Sequence, residues 1–270
     1  MHLIESSNVK QIASKIGLNP SKNKGQNFLI DVEKAKNIAN LLKNDDNSKV
    51  LEIGPGLGSL TYHLLNRCKN LSVIDIDSNV ISYLKSFNDN FTIIEEDALT
   101  YDLKGYEYII SNIPYSITAP LMEHVLLSGV DAKQFVLMMQ KENYAHFHDV
   151  SGKEYGPLSV LVHLVGNIKK QFDVGSSSFY PMPKCTSTVF TIDVNLKCSR
   201  DELYKTYKLA GSLFNNRRKT ILNNLSNIIN KDKAKEILDK AGILPSKRPE
   251  DISPEQFLLL SRIIVDEKQK

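Results

Sequence analysis

Three glycines follow the run KVLEI, which predicts a buried strand, within the segment LEIGPGLGSLT. Gly54, Gly56 and Gly58 form the spacing GxGxG, and a glycine-rich turn between a strand and a helix commonly holds a nucleotide-like ligand. Dinucleotides require GxGxxG instead, and the carboxylate of Glu52 beside the turn disfavours a pyrophosphate. The segment therefore favours a ligand that carries positive charge and no phosphate, and S-adenosylmethionine has both properties.

Two aspartates stand at the ends of the next two predicted strands. Asp75 ends the strand-like run LSVID, about 20 residues after the glycine turn, where a carboxylate can accept hydrogen bonds from both ribose hydroxyls. Asp97 ends FTIIEED, where a carboxylate can accept one from an adenine amino group. Turn chemistry or helix capping explains each feature alone, but three strand ends in succession predict a cofactor site. We assign Gly54, Gly56, Asp75, Ile76 and Asp97 to it.

The segment NIPYSIT follows the apolar run YEYIIS and so lies at the same carboxyl edge of the predicted sheet. The side-chain carbonyl of Asn112 and the backbone carbonyl of Ile113 can both accept hydrogen bonds from an exocyclic amine, which directs its lone pair toward a methyl group. Pro114 stiffens this backbone, and Tyr115 can stack on the base that carries the amine. The alternative is a proline-containing turn capped by its asparagine. We predict that residues 112–115 are catalytic and that Asn112 also borders the cofactor.

The order of apolar runs predicts a doubly wound α/β fold with a small all-α C-terminal domain. From residue 49, short strand-like runs alternate with helical ones, and the strands are continuously apolar, as in a sheet covered on both faces. The last two strands, IKKQFDV and STVFTIDV, can pair as a hairpin. After about residue 196 only helical periodicity remains, and Ser253, Pro254 and Gln256 predict a capped helix start. We expect domains at 1–195 and 196–270.

The composition limits the class of protein. The chain has 270 residues, of which 41% are hydrophobic, so it can bury one core and a small second domain. It contains no run long enough to span a membrane and no signal-peptide core, so we expect a cytoplasmic, monomeric protein that does not bind membranes. The three cysteines are scattered without CxxC spacing, which supports neither disulfides nor a metal site.

The charge is distributed unevenly along the chain. The net charge is +3, but residues 196–270 hold 16 Lys and Arg against 10 Asp and Glu, and residues 1–195 hold 18 against 21. A second basic cluster lies near the N-terminus and consists of Lys10, Lys15, Lys22 and Lys24. Such runs are often only solvated faces, yet two basic ends around an acidic middle favour binding of a polyanion.

Together, several segments resemble the small-subunit ribosomal RNA adenine dimethyltransferases. They are KGQNFLID, EIGPGLGSLT, NIPYSITAPLMEHVL, QKE, YGPLSVLV, FYPMPKCTSTV and the tail from NNRRKTILNNL to RPEDISPEQFLLL, and they span residues 22 to 262. The resemblance implies an α/β fold with a Rossmann-like class I methyltransferase sheet. It also implies S-adenosylmethionine-dependent dimethylation of the exocyclic amines of two adjacent adenosines. The target lies in a hairpin loop near the 3′ end of small-subunit (16S-type) ribosomal RNA, on an assembling particle.

The same resemblance implies roles for further residues. Gln26, Asn27 and Leu29 would border the cofactor, Ala98 would hold its adenine together with Asp97, and Phe179 would face Tyr115 across the target base. We assign a set of basic residues to RNA phosphates: Lys22, Lys24, Arg217, Arg218, Lys219, Lys247 and Arg248.

Two alternatives remain. The first is the related large-subunit RNA adenine methyltransferase that confers macrolide resistance, although ITAPLMEHVL and RPEDISPEQF fit the small-subunit enzymes better. The second is a ribosome- or nucleic-acid-binding protein without catalytic activity on the same scaffold, against which the intact Asn112 argues.

Overall fold

The computed structural model describes residues 9–17, 27–87, 90–129 and 131–268. The chain folds as two compact units. The first is formed by the described residues of 1–141 and 168–194, and the second by those of 142–167 and 195–270. This division differs from a single boundary at 195, because an apolar helix within 142–167 packs on the C-terminal helices of the second unit. Among the described residues, no helix has both the length and the apolar content needed to cross a bilayer.

Strands dominate the first unit. Their bounds are β1 (Phe28–Leu29), β2 (Lys49–Ile53), β3 (Asn70–Asp75), β4 (Thr92–Glu95), β5 (Tyr108–Asn112), β6 (Gln134–Gln140), β7 (Gly166–Val174), β8 (Phe179–Tyr180) and β9 (Ser187–Val194).

Seven of these strands form one sheet in the order β4-β3-β2-β5-β6-β9-β7. The strands from β4 to β6 run parallel, and β9 pairs antiparallel with β6. The predicted doubly wound sheet, and the adjacency of its last two strands, are confirmed. Because β2, β3 and β5 are parallel neighbours, their carboxyl ends lie at one edge of the sheet, where ligands bind in such folds. The strands β1 and β8 form a separate antiparallel pair, which the sequence pattern did not predict.

The helices of the first unit connect and cover these strands. They are α1 (Val9–Lys15), α2 (Val32–Ala39), α3 (Ser59–Leu64), α4 (Ser78–Lys85) and α5 (Thr118–Ser128).

The second unit is helical. Its helices are α6 (Lys141–His148), α7 (Pro157–Val165), α8 (Arg200–Phe214), α9 (Ile221–Leu225), α10 (Lys231–Lys240) and α11 (Pro254–Lys268). The predicted cap of the last helix is confirmed, because the Ser253 amide donates to Gln256 Oε1 and the Gln256 amide donates to Ser253 Oγ, at 3.1 and 3.2 Å. Phe214 and Phe257 stack in the core between α8 and α11.

Candidate active site

A cavity of about 600 Å³ opens at the carboxyl ends of β2, β3 and β5, within the first unit. It brings together most of the residues that the sequence predicted for the cofactor and for catalysis. These are Asn27, Leu29, Gly54, Gly56, Asp75, Ile76, Asp97, Ala98, Asn112, Ile113, Pro114 and Tyr115. Gln26 was also predicted for this site and lies outside the described residues, as do Lys22 and Lys24 of the predicted RNA surface.

The glycine turn forms one wall of the cavity. Gly54, Gly56 and Gly58 have φ values of 69°, 53° and 84°, a backbone region that side chains other than glycine seldom adopt. A Cβ atom on Gly56 would lie 3.0 Å from Cδ1 of the Phe28 ring, so a side chain there would have to displace β1. The turn therefore lets the chain pass close to a ligand and close to β1 at once.

The cavity is acidic. Its lining includes Glu52, Asp75, Asp77 and Asp97, and none of its described lining residues is Lys, Arg or His. A ligand with phosphates would be repelled by the aspartates of this lining, whereas a ligand with sulfonium and ammonium groups would be attracted. The residues present therefore fit S-adenosylmethionine, whose use the class I methyltransferase fold implies.

Burial changes the protonation of two of these acids. Glu52 is 1% exposed and accepts a hydrogen bond from Thr61 Oγ1 at 2.6 Å. Burial is the main reason that its pKa rises to about 8, and the neighbouring Asp75 charge adds to the rise. Burial also raises the pKa of Asp75, whose Oδ1 accepts from the Asp77 amide at 2.9 Å. Both acids therefore favour a ligand that brings positive charge.

Asp97 differs slightly from its predicted position. The strand β4 ends at Glu95, so Asp97 lies two residues beyond the strand rather than at its end. Its Oδ1 accepts a hydrogen bond from the Leu99 amide at 2.9 Å, and this turn holds the carboxylate at the rim of the cavity.

Asn112 is the last residue of β5, as predicted, and its side chain has a defined hydrogen bond. Nδ2 donates to the backbone carbonyl of Asn27 at 3.3 Å, which leaves Oδ1 as the acceptor of the same amide. The next peptide is fixed as well, because the Ile113 amide donates to the Met138 carbonyl at 2.9 Å. Tyr115 follows in a short 3-10 turn, and its hydroxyl lies 3.1 Å from Ser187 Oγ.

Phe179 does not line this cavity. It is 2% exposed and pairs with Leu29 in the β1–β8 ladder, within the hydrophobic core that includes Phe28. The alternation of the strand directs the ring into this core. Its predicted position opposite Tyr115 across a base therefore stays a prediction.

The predicted RNA-binding residues of the second unit fall into two groups. The Arg217 guanidinium is used internally: Nε and a terminal nitrogen donate to Glu250 Oε2 at 3.0 and 2.7 Å, and its terminal nitrogens also donate to the carbonyls of Gly152 and Lys153. The side chains of Arg218 and Lys219 are exposed.

Lys247 and Arg248 lie in the loop before α11. Lys247 is half-buried, with Nζ 3.5 Å from the Asp251 carbonyl. Arg248 is exposed, and its backbone amide donates to Asp251 Oδ2 at 2.8 Å. The backbone of Arg248 is thus fixed while its charge remains at the surface.

The assigned set omitted several polar residues of this region, and three of them bear on the charge or the geometry of the site. Glu52 and Asp77 line the cavity, and their signals were the acid before the glycine turn and the second aspartate of DID. Ser187 contacts Tyr115, and no pattern in the sequence indicates that contact, because 72 residues separate the two.

Comparison with known proteins identifies the family. The sequence profile described as Ribosomal RNA adenine dimethylase matches residues 17–266. The Ribosomal RNA small subunit methyltransferase A of Malacoplasma penetrans is 37% identical over 244 residues, which cover 88% of this chain and 89% of that protein.

Two solved structures share the fold. A dimethyladenosine transferase from Plasmodium falciparum matches with a TM-score of 0.73 and 26% identity, over 90% of this chain and 98% of that chain. The 23S rRNA methyltransferase ErmE matches with a TM-score of 0.67 over 88% of this chain and 100% of that chain, but at 22% identity the likeness shows the fold alone. The predicted Rossmann-like methyltransferase fold is confirmed. Because the family profile spans most of the chain and a relative is 37% identical over most of both sequences, this chain belongs to the ribosomal RNA adenine dimethylase family, as its motifs predicted.

Proposed function

We propose that the protein dimethylates the exocyclic amines of two adjacent adenosines in a hairpin loop near the 3′ end of small-subunit ribosomal RNA. It would act as a monomer on an assembly intermediate of the small subunit, and its cytoplasmic location stays a prediction. The observation that carries the proposal is the position of residues 112–115, which begin with the last residue of β5 and line the wall of an acidic, glycine-lined cavity. Family membership supports the same reaction.

The cavity has a place for each part of S-adenosylmethionine. Asp75 would accept hydrogen bonds from the ribose hydroxyls, and Asp97 with Ala98 would hold the adenine. The turn at Gly54 and Gly56 would let the backbone approach the amino-acid part. When bound, this cofactor supplies an electrophilic methyl group on a sulfonium, so the protein needs no strong base.

The protein's own groups would orient the target amine. Asn112 Oδ1 and the Ile113 carbonyl would accept its two hydrogens, which draws the nitrogen lone pair out of conjugation and aims it at the methyl carbon. As the amine nitrogen takes the methyl group that the cofactor would supply, it would lose one proton to water. Tyr115 would stack on the extruded adenine and hold it in line. After the first transfer the amine keeps one hydrogen, so the second transfer would proceed with one of these two acceptors unpaired.

The second unit would bind the RNA backbone. Exposed cations recognise phosphates without reading the bases, and the exposed side chains of Arg218, Lys219 and Arg248 suit this role. Lys247 stays in the proposal as a weaker contributor, because it is half-buried. For Arg217 an internal role competes, since its donors already engage Glu250 and two carbonyls.

One assay tests the proposal against its alternatives. The protein is incubated with methyl-labelled S-adenosylmethionine and either small or large ribosomal subunits that lack adenine dimethylation. We expect dimethyladenosine in the small-subunit RNA alone, at two adjacent positions. Labelled large-subunit RNA would support the macrolide-resistance type of enzyme instead. Tight binding to either particle without transfer, by a folded protein that binds the cofactor, would support a binding protein without activity.

A further inference from the structure

The hydroxyl of Tyr115 has a specific hydrogen-bond partner on a distant strand. Tyr115 begins a 3-10 turn that spans Tyr115–Ile117, directly after β5. Its ring extends from this turn, and the hydroxyl at the far end lies 3.1 Å from Ser187 Oγ. The contact therefore ties the hydroxyl end of the ring to β9, although the two residues are 72 positions apart in the sequence.

Ser187 is held rigidly by the sheet. It is the first residue of β9, it is fully buried, and it lies opposite Gln140 of β6 in the antiparallel ladder. The preceding residues are fixed too, because the Lys141 amide donates to the Thr186 carbonyl at 2.9 Å, and Gln140 Nε2 donates to Cys185 Sγ at 3.2 Å. The Ser187 hydroxyl is thus a fixed point relative to β5 and β6.

We propose that Ser187 is a positioning residue that sets the plane of the Tyr115 ring for stacking on the target base, through the hydrogen bond between their hydroxyls. The inference rests on the proposed function, because it assigns Ser187 a role in that reaction. Ser187 itself touches neither base nor cofactor in this scheme and acts only through Tyr115.

The physical reason is preorganisation. A half-buried tyrosine on a short turn can populate more than one staggered rotamer, and only one ring plane is parallel to a base held by Asn112. A hydrogen bond to the rigid sheet favours that rotamer before the base arrives, so less ordering is needed when it binds. Losing the bond should lower the rate of transfer and leave cofactor binding unchanged.

A double-mutant cycle tests this coupling. Ser187→Ala, Tyr115→Phe and the double variant are compared with the wild type in single-turnover methylation of small subunits that lack the modification. We expect each single variant to slow transfer by about two- to tenfold, the effect of one net hydrogen bond. The double variant should be no slower than the slower single variant, because both changes remove the same bond.

Thr188→Val is the matched control. Thr188 is the next residue of β9, is fully buried and donates a hydrogen bond to Asp173 at 2.8 Å, so the control also removes a buried hydroxyl from the same strand. We expect it to lower thermal stability while the methylation rate stays at the wild-type value. If Ser187→Ala fails to fold, Tyr115→Phe removes the same bond from the partially exposed side, and a wild-type rate for that variant overturns the inference.

The outcomes separate the two proposals. Multiplying effects in the double variant, or an equal rate loss in Thr188→Val, would assign Ser187 to general stability and overturn the positioning role. A wild-type rate in Ser187→Ala would overturn it as well, with the proposed function intact. Failure of the wild-type protein to methylate small-subunit RNA would overturn the proposed function, and the inference with it.

Discussion

The cavity of the first unit and the charged surface of the second unit arrange their ionised groups in opposite ways. In the cavity, three aspartates and the protonated Glu52 have no Lys, Arg or His among the described lining residues. In the second unit, Arg217 pairs with Glu250, Arg262 with Glu202 and Lys240 with Glu267. Some of the basic residues of 196–270 are therefore held in ion pairs within the unit, while their excess over the acids of the segment is unchanged. A charge indicates a ligand most reliably where the fold gives it no partner of opposite sign.

The largest effect should come from a neutral side chain in the cavity. Asn112→Ala removes an acceptor that acts on the amine as the transition state forms, so the barrier to methyl transfer should rise by about 2.7 to 4 kcal/mol, the range found when one preorganised polar partner is lost. Single-turnover methylation measures it.

Calorimetry with S-adenosylmethionine accompanies that experiment and should give an unchanged affinity. Asn66→Ala is the control, since Asn66 is an exposed asparagine that bonds only the Tyr62 carbonyl among the contacts described. A near-normal rate for Asn112→Ala, or a loss explained entirely by weaker cofactor binding, would remove Asn112 from catalysis.

The next effect should come from a charged group of the cavity. Asp75→Ala should weaken S-adenosylmethionine binding by about 1 to 3 kcal/mol, because buried ribose hydroxyls lose their charged acceptor. Titration calorimetry measures the affinity, and Asp46→Ala serves as the control, since Asp46 is 69% exposed and pairs with Lys69. Equal affinities of Asp75→Ala and the wild type would show that this carboxylate does not bind the cofactor.

A third effect should appear as a pH dependence of stability. The pKa of Glu52 is raised to about 8 in the folded protein from an ordinary value of 4.5, so between these values the folded state holds a proton that the unfolded state has lost. The contribution is fully present below pH 4.5 and is lost as the pH rises through about 8. Urea unfolding without cofactor should therefore show lower stability at pH 7.5 than at pH 5.5, by about 1 to 2 kcal/mol from this group.

Glu52→Gln removes that share, and only the smaller contribution of Asp75 and other groups should remain. The pH dependence of the variant should thus be flatter than that of the wild type. Identical slopes for the two proteins would mean that Glu52 is already ionised in the folded state at neutral pH, which would contradict its raised pKa.

The smallest effects should separate two adjacent arginines of the second unit. Arg217→Ala should lower stability by about 1 to 2 kcal/mol, since Glu250 and the Lys153 carbonyl lose the donors described for them and the Gly152 carbonyl keeps only the Tyr155 amide. Arg218→Ala should leave stability unchanged and reduce the salt slope of RNA binding by about 0.9.

Thermal unfolding and RNA titrations at several salt concentrations measure both quantities for both variants. An equal reduction of the salt slope in Arg217→Ala and Arg218→Ala, without a loss of stability in Arg217→Ala, would contradict the internal role of Arg217. It would show that Arg217 contacts phosphate rather than Glu250.

The sequence correctly located those parts of the site that lie at the ends of buried strands. Asp75 and Asn112 were placed correctly at strand ends because continuous apolar runs mark the strands, and parallel strands bring their carboxyl ends to one edge. The glycine turn was placed for the same reason, since three glycines directly after β2 can adopt the positive φ that the turn requires.

Contacts between distant short segments could not be predicted. The β1–β8 pair joins Phe28 to Tyr180 and Leu29 to Phe179, and two-residue strands leave no periodicity in a sequence. The buried position of Phe179 follows from this pairing. The internal use of Arg217 was hidden for a related reason, because its partners Glu250, Gly152 and Lys153 lie at least 33 residues away along the chain.

The hydrogen bond from Asn112 to the Asn27 carbonyl also bears on which bases the site accepts. With its donor occupied, Asn112 presents an oxygen, and the neighbouring Ile113 carbonyl presents another. Adenine offers an amino group at the matching edge, whereas guanine and uracil offer a carbonyl oxygen there. A carbonyl oxygen of the base would face the two protein oxygens with no hydrogen between them. Each buried acceptor left without a donor costs about 1 to 3 kcal/mol. In the proposed mechanism, the hydrogen bond of Asn112 to the Asn27 backbone would thus make the site selective for amino bases and against keto bases, before any methyl group moves.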